Sequence, residues 1–202
     1  MIAALLGMSL GLVAGVRHAF EPDHVAAVTT LAAGEKRVSR LVAFATSWGL
    51  GHGIMLVVVG GLMFALHGVM PARIGNALEL VVAAALIALG VRAIFASKHV
   101  HRGHATHARL PFAVGLVHGL SGSGALTALA VSRLYSLGEG LAFMTLYASG
   151  ALVGMVLLAG VAGVPLSRLA QRPSVARGVV AASGVLSLVV GLAWAYPIIT
   201  HP

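Results

Sequence analysis

Apolar residues run along this chain in long blocks separated by short segments rich in charge, glycine and proline. Six blocks, roughly 3–33, 41–66, 74–96, 111–133, 140–164 and 175–199, are each long enough to cross a hydrocarbon core of about 30 Å as a helix. Their apolar positions do not alternate with a period of two, which argues against a lipid-exposed β-barrel. The pattern predicts an all-α polytopic membrane protein with six transmembrane helices. Two blocks are interrupted. Pro22 lies inside the first; it has no N–H, and its ring clashes with the carbonyl four residues back, that of His18. The fourth holds Gly119-Leu120-Ser121-Gly122-Ser123-Gly124. Both helices are expected to break there.

The two halves of the chain resemble each other at an offset of about one hundred residues. Gly15-Val16-Arg17-His18 aligns with Gly115-Leu116-Val117-His118, Ala43-Phe44-Ala45-Thr46 with Ala142-Phe143-Met144-Thr145, and Gly53 with Gly154. Three spans per repeat is an odd number, so the repeats must lie in opposite orientations. Inverted repeats with interrupted helices are a common transporter architecture, with the binding site near the midplane. The expected organisation is a first three-helix repeat over 1–98, a His-rich connection over 99–110 and a second three-helix repeat over 111–202. Gly7, Gly11 and Gly15 are four apart, as are Gly115 and Gly119, which predicts close packing of the two broken helices.

Composition agrees with the hydropathy pattern. The 202 residues are 59% hydrophobic and only 9% charged, against about 25% charged in soluble domains. The formal charge of +8 does not point to nucleic acid, because the basic residues cluster between spans. Lys36, Arg37 and Arg40, then Lys98, Arg102 and Arg109, then Arg168 and Arg172, mark the odd connections; Arg73 and Arg133 alone mark the even ones. The positive-inside rule places the odd connections in the cytoplasm and both termini outside the cytoplasmic membrane. Trp194 and Tyr196 suit the outer aromatic belt. The first block lacks a preceding basic region and reads as a retained span rather than a cleaved signal. With no cysteine there is neither a disulfide framework nor a thiolate metal site.

The candidate chemistry sits at the first interruption. His18, Asp23 and His24 are metal-ligand types in a setting where polar groups are costly and mark ion pathways. On an unbroken helix they would point about 140° and 240° apart; a break at Pro22 lets them converge. The bland alternative is a polar cluster that ties two helices together. Imidazole favours nickel, cobalt, zinc or copper over magnesium and calcium. Arg17 cannot coordinate a cation and is expected to partner Glu21 or Asp23. His52, within Ser47-Trp48-Gly49-Leu50-Gly51-His52-Gly53, lies about 17 Å along its span and is expected to be a ligand or to orient one. His118 is the repeat-mate of His18, either a ligand or a stop along the path, and Ser121 and Ser123 either line that path or satisfy freed backbone. His99, His101, His104 and His107 form a tract that either collects metal or is a plain polar linker.

Arg17-His18-Ala19-Phe20-Glu21-Pro22-Asp23-His24 resembles the H-x4-D-H signature of the nickel/cobalt transporter (NiCoT) family, and Leu50-Gly51-His52 resembles its second signature. The chain is most similar to the family's shorter, urease-accessory UreH-type branch, which also shares Gly115-Leu116-Val117-His118-Gly119-Leu120-Ser121-Gly122-Ser123-Gly124. The resemblance implies a secondary transporter that moves Ni2+, or Co2+, as substrate, with no prosthetic group and no enzymatic activity. It also implies metal selection by His18, Asp23, His24 and His52. A metallochaperone or urease-maturation protein is the partner it suggests, besides the bilayer. Longer members have eight spans and acidic second-half signatures, which this chain lacks. Export of the same metals, a metal-dependent hydrolase within the membrane and a non-transporting nickel chaperone are the alternatives; no H-E-x-x-H motif supports the hydrolase.

Overall fold

The computed structural model describes residues 2–33, 35–66, 71–97, 109–121, 136–169 and 171–200. The His99, His101, His104 and His107 tract, Ser123 and the second part of the fourth predicted span lie outside them. The described residues form seven helices: α1 (Ile2–His18), α2 (Pro22–Ala32), α3 (Val38–Ala65), α4 (Ala72–Ser97), α5 (Arg109–Ser121), α6 (Leu137–Leu169) and α7 (Pro173–Thr200). Four of them, α3, α4, α6 and α7, are long and apolar enough to span a membrane, and α5 is a shorter apolar helix. Their outward faces carry exposed Leu50, Ile54, Val58, Val153, Leu157, Val161 and Val189, while His18, Asp23, His24, His52 and His118 are buried. A protein dissolved in water would place these two sets the other way round. This is a multi-pass membrane protein.

The first run breaks where Pro22 predicts. α1 ends at His18 in a tight turn, with Phe20 N–H bonded to the Arg17 carbonyl and Glu21 N–H to the His18 carbonyl, each at 3.0 Å. Glu21 is extended (φ −64°, ψ 148°), and Pro22 opens α2, where its missing N–H costs nothing. α5 ends at Ser121, within the glycine–serine run that predicts the second break. One boundary differs from expectation. The fifth span does not stop before Pro165 but continues through it to Leu169. Proline is tolerated inside membrane helices; the carbonyl it leaves without an N–H is that of Val161, four residues back.

Glycines set the helix crossings. A Cβ on Gly15 of α1 would overlap the Tyr147 carbonyl of α6, and one on Gly115 of α5 would overlap the Trp48 carbonyl of α3. Gly150 meets the Leu12 carbonyl in the first crossing, and Gly51 meets the Phe112 carbonyl in the second. Each α1–α6 contact thus has a counterpart in α5–α3 about one hundred residues away. The same reciprocity holds between α4 and α7, where Gly90 packs on the Gly184 carbonyl and Gly191 on the Ala83 carbonyl. Ser187 Oγ also donates 2.9 Å to the Leu86 carbonyl there. Each half's short first helix therefore lies on a long helix of the other half. The buried core between them holds Ala19, Ala26, Phe44, Trp48, Leu86 and Met155.

Candidate metal centre

The break at Pro22 gives the site its shape. His18 is the last residue of α1, and Asp23 and His24 follow Pro22 in the first turn of α2. α3 brings His52 to the same point. Ligand atoms of His18, His24 and His52 lie within 4.8 Å of one another, and so, as a second group, do those of Glu21, Asp23 and His24. His24 belongs to both. All three histidines are buried, and His52 is wholly so.

The carboxylates act on the far side of two rings. Glu21 Oε2 lies 2.9 Å from His18 Nδ1, and Asp23 Oδ1 lies 2.9 Å from His24 Nδ1. A carboxylate there holds the proton on Nδ1 and leaves the Nε2 lone pair for another partner, the usual way a metal-binding imidazole is oriented. His18 Nε2 lies 3.3 Å from His52 Nε2. Two nitrogens at that spacing, each about 2.05 Å from a shared ion, subtend roughly 107°, near a tetrahedral angle. His24 Nε2 and His52 Nδ1 have no hydrogen-bond partner among the described residues. A buried polar atom without a partner is uncommon and calls for an explanation such as a ligand. Without an ion, His52 can satisfy His18 by donating its Nε2–H, since the His18 proton is committed to Glu21.

Sequence reasoning expected Arg17 to pair with Glu21 or Asp23, and the structure corrects this. Arg17 is exposed, and the two carboxylates go to His18 and His24 instead. Arg17 precedes His18 by one residue, which turns its side chain about 100° away around the helix. His118 is buried beside the cluster, its ring centroid 5.6 Å from that of His24. Ser121 ends α5, and Ser123 lies outside the described residues. Two aromatic residues complete the walls and were missed from sequence. Tyr147 packs at a tilt against His18 with ring centroids 5.4 Å apart, and Trp48 meets His118 edge-on at 5.5 Å. The signal was present: Trp48 precedes His52 by one helical turn, and Tyr147 occupies its counterpart in the second half.

Fold and site together define a multi-pass helical membrane protein with a buried imidazole–carboxylate cluster at a helix break. The chain is similar to the "Urease accessory protein UreH" of Bacillus sp. (strain TB-90), 28% identical over 205 residues that cover 94% of this chain and 90% of the relative. The resemblance carried by the signatures therefore extends along nearly the whole sequence. No family model matches the chain, and no solved structure matches it.

Proposed function

We propose that this protein carries nickel, with cobalt as a second substrate, into the cytoplasm as a secondary transporter of the inner membrane. The observation that carries the reading is the cluster of His18, His24 and His52, with Glu21 and Asp23 on the Nδ1 side of two of the rings. Three buried imidazoles suit a late first-row divalent ion, whereas magnesium and calcium require oxygen ligands. The similarity to a urease accessory protein, together with the two sequence signatures, supports the same substrate. In this reading the chain has six spans in two inverted three-helix repeats, and the first and fourth helices are broken. The reciprocal glycine contacts of α1–α6 and α5–α3 support that arrangement. Both termini lie outside, the basic connections face the cytoplasm, and the ion is passed on to a metallochaperone or urease-maturation partner. The two repeats move against each other around the site.

The test is nickel accumulation in cells that lack their own nickel transporters. Cells carrying the protein are expected to accumulate more nickel than empty-vector cells, and His18→Ala is expected to return them to the vector level. Accumulation below the vector level would instead establish an exporter, and equal accumulation would remove the transport reading.

Metal binding should also depend on pH. Coordination needs neutral imidazole, and protons compete for the same nitrogen. Ni2+ binding by purified protein is therefore expected to be full at neutral pH and to weaken as the solution is acidified. An isotherm that does not weaken on acidification would contradict imidazole ligation.

A further inference from the structure

We propose that His118 is a hand-over ligand: it receives the metal ion from the three-imidazole site through His24 and so sets the rate of metal entry and exit without setting affinity. The proposal rests on the metal-site reading above. His24 lies between two sets of rings. His18 and His52 stand 4.3 and 4.9 Å from it, centroid to centroid, and His118 stands at 5.6 Å in an edge-on arrangement. His118 is not among the imidazoles whose ligand atoms gather within 4.8 Å. It is therefore the next position along, and not a fourth member of the same shell.

Its place is built by close packing. α5 lies against α3 where Gly115 meets the Trp48 carbonyl and where a Cβ on Gly119 would come within 2.5 Å of the His52 carbonyl. No larger residue at either glycine would let the helices come so near. The His118 ring is wholly buried, with Trp48 edge-on to it at 5.5 Å.

Physical chemistry gives this placement a purpose. A divalent ion held by three imidazoles in a low-dielectric interior cannot shed ligands to water, because no water shell is at hand to replace them. Exchange is faster when a new ligand binds before the old ones leave. His24 stays with the ion while His118 replaces His18 and His52. The Asp23 carboxylate, 2.9 Å from His24 Nδ1, keeps a negative charge behind the ring that both positions share. A hand-over ligand of this kind lowers the barrier in both directions and leaves the equilibrium alone.

The experiment uses purified full-length protein and Co2+, whose absorption reports its ligands. In His118→Ala the Co2+ spectrum and Kd are expected to stay within about threefold of wild type. Release of Co2+ to a chelator in stopped flow, and transport in proteoliposomes, should each slow by about tenfold or more. His118→Gln, which keeps a polar side chain, should behave in the same way. Faster release with a weaker Kd in both variants would make His118 a ligand or prop of the main site and overturn the proposal. Unchanged release and transport would also overturn it. Undiminished Co2+ binding by His52→Ala would be a different failure, that of the metal-site reading itself.

Discussion

His52→Ala is expected to abolish saturable Ni2+ and Co2+ binding and, with it, transport. His52 is the one member of the cluster that reaches the break from another span, and its Nε2 lies 3.3 Å from that of His18. Removing it leaves His18 and His24, which one turn of chain already holds together, and opens a space in a wholly buried position. The affinity loss should exceed the 10- to 100-fold that follows from disturbing a group behind a metal ligand. Asp23→Asn provides the graded comparison. Its amide oxygen can still accept the His24 Nδ1–H but carries no charge, so affinity should fall by about 10- to 100-fold while binding remains measurable. Titration of both purified variants by isothermal calorimetry separates the cases. Comparable losses in the two would show that Asp23 is itself a ligand. Wild-type affinity in His52→Ala would remove α3 from the site.

The second large effect is structural. Gly115→Ala places a methyl group on the backbone carbonyl of Trp48, a rigid atom that cannot rotate away. α5 and α3 must then separate, which draws His118 and His52 apart and costs on the order of 3 kcal/mol, the upper part of the usual range for overpacking. Gly15→Ala should do the same at the α1–α6 crossing, where the Tyr147 carbonyl occupies the corresponding space. Gly160→Ala is the control. Nothing lies within 4 Å of the Cβ it would gain, and alanine is the better helix former by about 1 kcal/mol. Thermal unfolding in detergent should show a clear fall in Tm for the first two variants and none for the third. Equal behaviour of Gly115→Ala and Gly160→Ala would mean that the crossings are looser than their glycines imply.

The helix break and its ligand types were legible in the sequence because their causes are local. Pro22 lacks an N–H and its ring crowds the His18 carbonyl, so it ends α1 by its own geometry, and His18, Asp23 and His24 lie within seven residues of one another. Spans could be read for a similar reason: hydropathy summed over some twenty residues reports the solvent around a helix. Pro165 escaped that reading because a proline inside a membrane helix is settled by hydroxyl groups and neighbours, not by its own ring. Arg17 escaped it because sequence proximity to Glu21 and Asp23 says little about direction around a helix. Trp48 and Tyr147 read as ordinary apolar-span residues, and only their ring contacts with His118 and His18 distinguish them.

By itself, then, the sequence determined a multi-span membrane helical protein, a helix broken at Pro22, the ligand-type groups gathered there and the residues that carry its family resemblance. Tertiary structure alone decided that His52 joins His18 and His24 while His118 stands one step beyond them. It also decided that Glu21 and Asp23 hold the outer nitrogens of the two rings. Those outcomes depend on how closely α3 approaches α1, α2 and α5, and on the rotation of each helix about its axis. Glycine-to-carbonyl contacts between residues 61 to 138 positions apart hold α1 on α6 and α5 on α3, and no local pattern along the chain encodes them.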